Sequence, residues 1–232
     1  MKRRSFVIAF AAAALAPAAF AQKPMKIGII GSGRIGSTFG GLWVKAGHEV
    51  MFSDRDPEAV KRAMDGLGMR ARSGSVAEAA AFGDAILIAV PYGALPAIRD
   101  QVGDLLKGKV VIDPNNPVAA RDGEMGARAK EKGAGVSTAA LLPGAKTVRA
   151  FNSWGYAVMA REANRPAPRM AIPVAADDPV AMKVGLQLVN DAGFDAVAAG
   201  NLAASKAFDL GSSVSGRVLT AAELRQALQL KP

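Results

Sequence analysis

Short apolar runs alternate with amphipathic stretches along most of the chain. Lys26-Ile27-Gly28-Ile29-Ile30 is β-branched and apolar, which predicts a buried parallel strand. Ser37 to Ala46 places Phe39, Leu42, Trp43 and Ala46 on one helical face, and Gly47 fits the stop. Glu49 to Ser53 predicts a second strand, and Asp56-Pro57 opens a helix running to Met64. Ser75-x-x-Glu78 is a capping box for a short helix through Ala81. Ala85 to Val90 is a continuous apolar run, as expected of a central parallel strand.

The rhythm continues to the end. Leu95 to Leu106 reads as a helix with Pro96 in its first turn, Val110 to Ile112 as a strand, and Glu124 to Lys132 as a helix. A short helix over Ser137 to Leu142 stops at Pro143-Gly144, and Thr147 to Phe151 is the next strand. Met170 to Ala175 and Phe194 to Ala198 read as strands flanking a helix that Asp178-Pro179 begins and Asn190 ends. Gly211 to Gly216 reads as a flexible loop. Thr220-x-x-Glu223 caps a last helix through Leu228. Strand and helix in alternation argue an α/β fold with a doubly wound parallel sheet.

The first strand runs without a gap into Gly31-Ser32-Gly33-Arg34-Ile35-Gly36. Gly31 permits a tight turn, Gly33 lets a pyrophosphate approach the backbone, and Gly36 lets the helix pack close to the strands. The free N–H groups and positive dipole end of the following helix favour an anion there. Asp54 stands about 20 residues beyond, where an acid that binds ribose hydroxyls is expected. Strand, glycine turn, helix and strand together predict a dinucleotide site in a Rossmann-type fold. Residues 22–152 form the predicted Rossmann domain, and 153–232 a small C-terminal α/β extension on the same sheet. Ligands in such sheets lie at the strands' carboxyl ends, which directs attention to Pro91-Tyr92-Gly93 and Asp113-Pro114-Asn115-Asn116-Pro117.

Met1 to Ala21 reads as a signal peptide. It has a basic head, Lys2-Arg3-Arg4, an alanine-rich apolar core, and Ala19-Phe20-Ala21 as cleavage motif. Arg3-Arg4-Ser5-Phe6-Val7 resembles the twin-arginine export motif, with an ordinary Sec signal as the alternative, so a periplasmic protein is expected. The apolar run is short and interrupted by Pro17, so no stable membrane span is expected. The formal charge of +9 falls to +6 once Lys2, Arg3 and Arg4 leave. The remaining basic residues are scattered with no stripe of interleaved aromatics, which argues against nucleic acid. With no Cys there is no disulfide, thiolate metal site or thiol nucleophile. His48 is the sole histidine and sits between helix stop and strand, a structural position.

The ordered segments resemble one family. Lys26 to Gly36, Ala46-Gly47-His48-Glu49-Val50, Ala89-Val90-Pro91-Tyr92, Asp113-x-x-Asn116-Pro117, Val148-Arg149-Ala150-Phe151-Asn152 and Asp191-Ala192-Gly193-Phe194 carry the likeness. The chain resembles the dinucleotide-binding enzymes grouped with deazaflavin-dependent NADP reductases. The resemblance implies hydride transfer between NADP(H) and a flavin or deazaflavin, and a homodimer. It implies that Gly31, Ser32, Gly33, Arg34, Ile35 and Gly36 hold the pyrophosphate, and that Ser53, Asp54 and Arg55 hold the adenosine ribose. It places Val90, Pro91, Asn116 and Asn152 along the nicotinamide. Tyr92, next to Pro91, could donate a proton there but reads first as a packing or ribose contact. Two features depart from the family. An acid stands at Asp54 where NADP users carry Ser-Arg, so NAD is open beside NADP, and a leader is unusual for a nicotinamide enzyme. No catalytic base is apparent, which fits a flavin-like acceptor better than an alcohol. A small-substrate dehydrogenase, an imine reductase and a non-catalytic NAD(P)-binding sensor or scaffold are the alternatives.

Overall fold

The computed structural model describes residues 23–230. The expected leader over 1–21 lies outside the described residues. The first half lays down β1 (Lys26–Ile30), α1 (Arg34–Lys45), β2 (Glu49–Ser53), α2 (Pro57–Met64), β3 (Ala71–Ser73), α3 (Val76–Phe82), β4 (Ala85–Ile88) and α4 (Leu95–Leu106). The rest adds β5 (Val110–Asp113), α5 (Ala119–Lys132), α6 (Ala134–Leu141), β6 (Lys146–Arg149), α7 (Tyr156–Glu162), β7 (Ala171–Ala176), α8 (Pro179–Asp191), β8 (Asp195–Gly200) and α9 (Ala221–Ala227).

One sheet of eight strands runs β3-β2-β1-β4-β5-β6-β7-β8. Chain direction across the sheet reverses beside β1, so the gap between β1 and β4 is the topological switch point. Local signals explain most of these elements. Asp56 accepts the Glu58 N–H, Asp178 accepts the Ala181 N–H, and Ser75–Glu78 and Thr220–Glu223 are reciprocal capping boxes. These satisfy donors that a helix start leaves unpaired.

The sheet is mostly parallel rather than wholly so. β7 pairs antiparallel with β6, and only at Val148–Ala176 and Arg149–Ala175. β8 then follows β7 in parallel. The reason lies in the connection. α7 has seven residues and begins beside the start of α1, where the Arg34 guanidinium lies 5.1 Å from the Tyr156 ring centre. The chain therefore re-enters the sheet from the edge it left. With so short a pairing, β7 projects past the carboxyl end of β6 and walls one side of that edge.

β3 and α7 were not anticipated from sequence. β3 is three residues with two exposed, too short to show a period. α5 starts at Ala119, earlier than the pattern suggested, because Gly123 at φ +62° joins two helical pieces across a kink.

Alternate residues of the central strands feed opposite faces. Ile27 and Ile29 pack with Phe39, Trp43 and Phe52 under α1 and α2, while Ile30, Ile86 and Ile88 pack with Leu95, Val102 and Leu106 on the other face. The Phe39 and Phe151 rings lie 4.1 Å apart, and Trp43 Nε1 donates to the Leu188 carbonyl at 2.8 Å, tying α1 to α8. His48 is buried, accepting the Met25 N–H at Nδ1 and meeting the Asp191 carboxylate at 3.1 Å through Nε2. It fastens α8 to the amino end of the sheet, away from the carboxyl edge. Among the described residues no helix is long and apolar enough to cross a membrane.

Candidate functional site

The glycine turn leaves β1 at the switch point. Gly31 sits at φ +97°, which side-chain-bearing residues rarely adopt, and a Cβ there would strike the Ala89 carbonyl at the end of β4. A Cβ on Gly36 would strike the Gly31 carbonyl, so α1 rests directly on the turn. Gly33 differs, since a Cβ on it meets nothing within 4 Å. The space it leaves faces out of the protein and would be filled by a side chain. No side chain caps α1, and its first turn carries no acid. An open cradle over uncapped N–H groups at a helix start fits a dinucleotide's pyrophosphate.

β2 delivers its carboxyl end against this turn. The Gly31 N–H donates to the Ser53 carbonyl at 2.9 Å, and Ser32 Oγ donates to the same oxygen at 3.1 Å. Asp54 Oδ2 accepts the Ser32 N–H at 2.7 Å, and its Oδ1 accepts the Asp56 N–H at 3.0 Å. The acid thus lies against the glycine turn, where a ribose attached to the pyrophosphate would sit. The Ser53 side chain is a correction to the expected ribose contact. It is fully buried and donates to the Ile29 carbonyl at 2.7 Å, so it serves the sheet. Ile35 is half-buried against the core, whereas Arg34 and Arg55 are exposed. A cavity of about 670 Å³ opens from Asp54 along Pro57, Val60 and Lys61 of α2 towards Ser73-Gly74.

Beyond the switch point, the ends of β4, β5 and β6 converge. Val90 is half-buried and Pro91 exposed. Tyr92 takes the packing role and not the ribose contact, because its ring is entirely buried in the core under α4, and burial pushes its phenol up from the usual range. Asn116 Nδ2 donates to the Asn152 carbonyl and its Oδ1 accepts from Arg149, so both ends of this amide are engaged. Asn152 is buried, and its amide donates to the Phe208 carbonyl at 3.1 Å. The two asparagines that sequence placed along the nicotinamide are joined, and their amides hold the edge together from within.

Sequence reasoning passed over the residue that organises this half. Arg149, at the end of β6, is completely buried. It donates to Asp113 Oδ2 at 3.1 Å, to the Asn115 carbonyl, to Asn116 Oδ1 at 3.0 Å, and to Asp209 Oδ1 at 2.9 and 3.1 Å. Burial pushes the Asp113 carboxyl up, and the adjacent Arg149 charge pulls it back. A charge inside an otherwise apolar strand, Thr147-Val148-Arg149-Ala150-Phe151, was the available signal. Asp209 offered none, lying 60 residues away. Asp122 is the other anchor. Held by Arg121 and by the N–H groups of Val118 and Gly93, it keeps its carboxyl low, at about 2, and pins the loop after β4 to α5.

Residues 26–117 match the family model described as NADP oxidoreductase, coenzyme F-420-dependent. Over these residues the chain is similar to the NAD(P)-dependent oxidoreductases. The match takes in the glycine turn, the acid after β2 and the loop after β5, and covers less than half of the chain. No curated protein matches it. Among solved structures, a hypothetical protein from Sinorhizobium meliloti is 26% identical, with a TM-score of 0.74, covering 87% of this chain and 97% of that one. A protein provisionally named an F-420-dependent NADP reductase, from Arthrobacter, is 21% identical with a TM-score of 0.65, covering 78% and 87%. The 3-hydroxyisobutyrate dehydrogenase of Mycobacterium tuberculosis is 18% identical with a TM-score of 0.60, covering 80% of this chain but 57% of its own. These last two likenesses concern the fold.

Proposed function

We propose that this protein moves a hydride between NAD(P)H and a flavin, deazaflavin or similar ring acceptor. The observation that carries the reading is the character of the carboxyl edge beside Val90, Pro91 and Asn116. Among the described residues, the titratable groups near this edge are buried or ion-paired. Tyr92 is buried, Asp113 is buried against Arg149, and the Asp122 side chain is 1% exposed and ion-paired. His48 lies at the other end of the sheet. An alcohol or amine substrate needs a positioned proton donor or acceptor, while transfer between two rings depends chiefly on stacking and orientation.

Bound at the glycine turn, the dinucleotide would supply or take up the hydride. The chain's part is to bind and to orient. The N–H groups of Gly33 to Gly36 receive the pyrophosphate, and Asp54 the adenosine ribose. Val90 and Pro91 offer the nicotinamide an apolar floor, and the Asn116–Asn152 pair keeps the ends of β5 and β6 in register beneath it. Export and dimerisation belong to the same proposal, supported by the Lys2-Arg3-Arg4 leader and by the family resemblance respectively.

The test is anaerobic oxidation of NADH and NADPH against flavins, deazaflavins, quinones and imines. Turnover with a ring acceptor is the expected result. Turnover confined to imines, or none with any acceptor, overturns the reading.

A further inference from the structure

We propose that this chain selects NAD(H) over NADP(H), and that Asp54 is the residue that discriminates. The inference rests on the dinucleotide site proposed above and goes against the cofactor that the family resemblance implies. An Asp54 turned to solvent would have left the ribose position to Arg55 and a 2′-phosphate. Instead Asp54 turns inward, accepting the Ser32 N–H at 2.7 Å and the Asp56 N–H at 3.0 Å. Swinging it away would strip both donors of their partner, and an unmet donor beside a packed turn is costly.

The carboxylate keeps capacity for a ligand. Two oxygens offer about four acceptor positions, and two are taken. The free positions suit ribose hydroxyls, which donate. A 2′-phosphate brings about −1.5 to −2 charges and only acceptor oxygens at neutral pH. Against an acceptor-only carboxylate it meets repulsion and no hydrogen bond.

The cavity beyond Asp54 does not compensate. Asp54 and Asp65 both line it, against the single cation Lys61. Arg55 is exposed, does not line the cavity, and has no side-chain partner among the described residues. The surface an adenosine would occupy therefore carries more negative than positive charge. Lys61 nevertheless faces the same cavity from α2. Removing the Asp54 charge should leave Lys61 to meet a phosphate in the cavity, against Asp65 alone.

Equilibrium titration of the folded chain with NADH and with NADPH tests this without any acceptor. NADH is expected to bind about tenfold or more tightly. Asp54→Ser and Asp54→Asn should each raise NADPH affinity relative to NADH to parity or beyond. Asp54→Asn keeps an acceptor oxygen for the turn, so it decides the matter if the serine variant does not fold. Equal or tighter NADPH binding by the unaltered chain overturns the inference, as does an unchanged ratio in the variants. Binding of neither dinucleotide overturns the proposed function together with it. An acceptor panel that fails while NADH still binds selectively sinks only the proposed function.

Discussion

Arg149 grips Asp209 with two guanidinium nitrogens, at 2.9 and 3.1 Å, across 60 residues of chain. The bond joins the end of β6 to the segment just after Phe208, and Asp209 Oδ2 also accepts the Ala134 N–H that begins α6. A second acid, Asp113, sits on the other side of the same cation. Three parts of the carboxyl edge thus share one buried charge cluster. Such a cluster is stable only while complete, because removing one member leaves a buried charge without its partner.

Arg149→Met should therefore cost about 3–5 kcal/mol of folding stability, the range for breaking a buried ion pair from one side. Urea unfolding monitored by circular dichroism measures it. A loss under about 1 kcal/mol would show that the edge is held by packing rather than by this charge.

Gly33 and Gly36 should fail in opposite ways. Gly33→Val adds its side chain to open space, so the fold should survive with an unchanged midpoint while dinucleotide affinity collapses. Gly36→Ala drives a methyl into the Gly31 carbonyl, so stability should fall before binding can be assessed. Thermal melts and titrations on the two variants separate these outcomes. Wild-type affinity in Gly33→Val would remove the pyrophosphate from this turn.

Asp122 predicts acid sensitivity with a definite sign. Its folded pKa is lowered from 3.8 to about 2, chiefly through the Arg121 hydrogen bonds. Its contribution is fully present above the unfolded value of 3.8 and fades as pH falls towards 2. Arg121 is half exposed, so solvent screening brings the contribution to about 1–2 kcal/mol. The stability gap between the unaltered chain and Asp122→Asn should be constant from neutrality to about pH 5 and narrow below it. A gap that does not change with pH would assign the effect to shape rather than charge.

Export should depend on the arginine pair itself. Arg3→Lys with Arg4→Lys keeps the basic head but removes the twin-arginine motif, so the precursor should accumulate uncleaved inside the cell. Normal cleavage and release of the double variant would identify an ordinary Sec signal instead.

Local chemistry determined what could be read from the chain alone. The β1 run, the glycine turn, α1 and β2 are contiguous, and each cap pairs residues within three positions. Asp56, Ser75 with Glu78, Asp178, and Thr220 with Glu223 all act as their spacing implied. Those signals specified the alternation of elements and placed Asp54 at the end of β2. They were silent wherever the deciding partner lay far along the chain. Nothing near Tyr92 or Ser53 marks them as buried, since their surroundings come from other elements. Periodicity reports a strand but not its direction, and only the packing of α7 beside α1 turned β7 against β6. Arg149 stood in a strand with no visible partner, and only the fold closed Asp113, Asn116 and Asp209 around it. The alternation of side chains ends where a strand ends, so the direction of Asp54 was set by the nearby Ser32 N–H, a contact that exists only once β1 and β2 lie side by side.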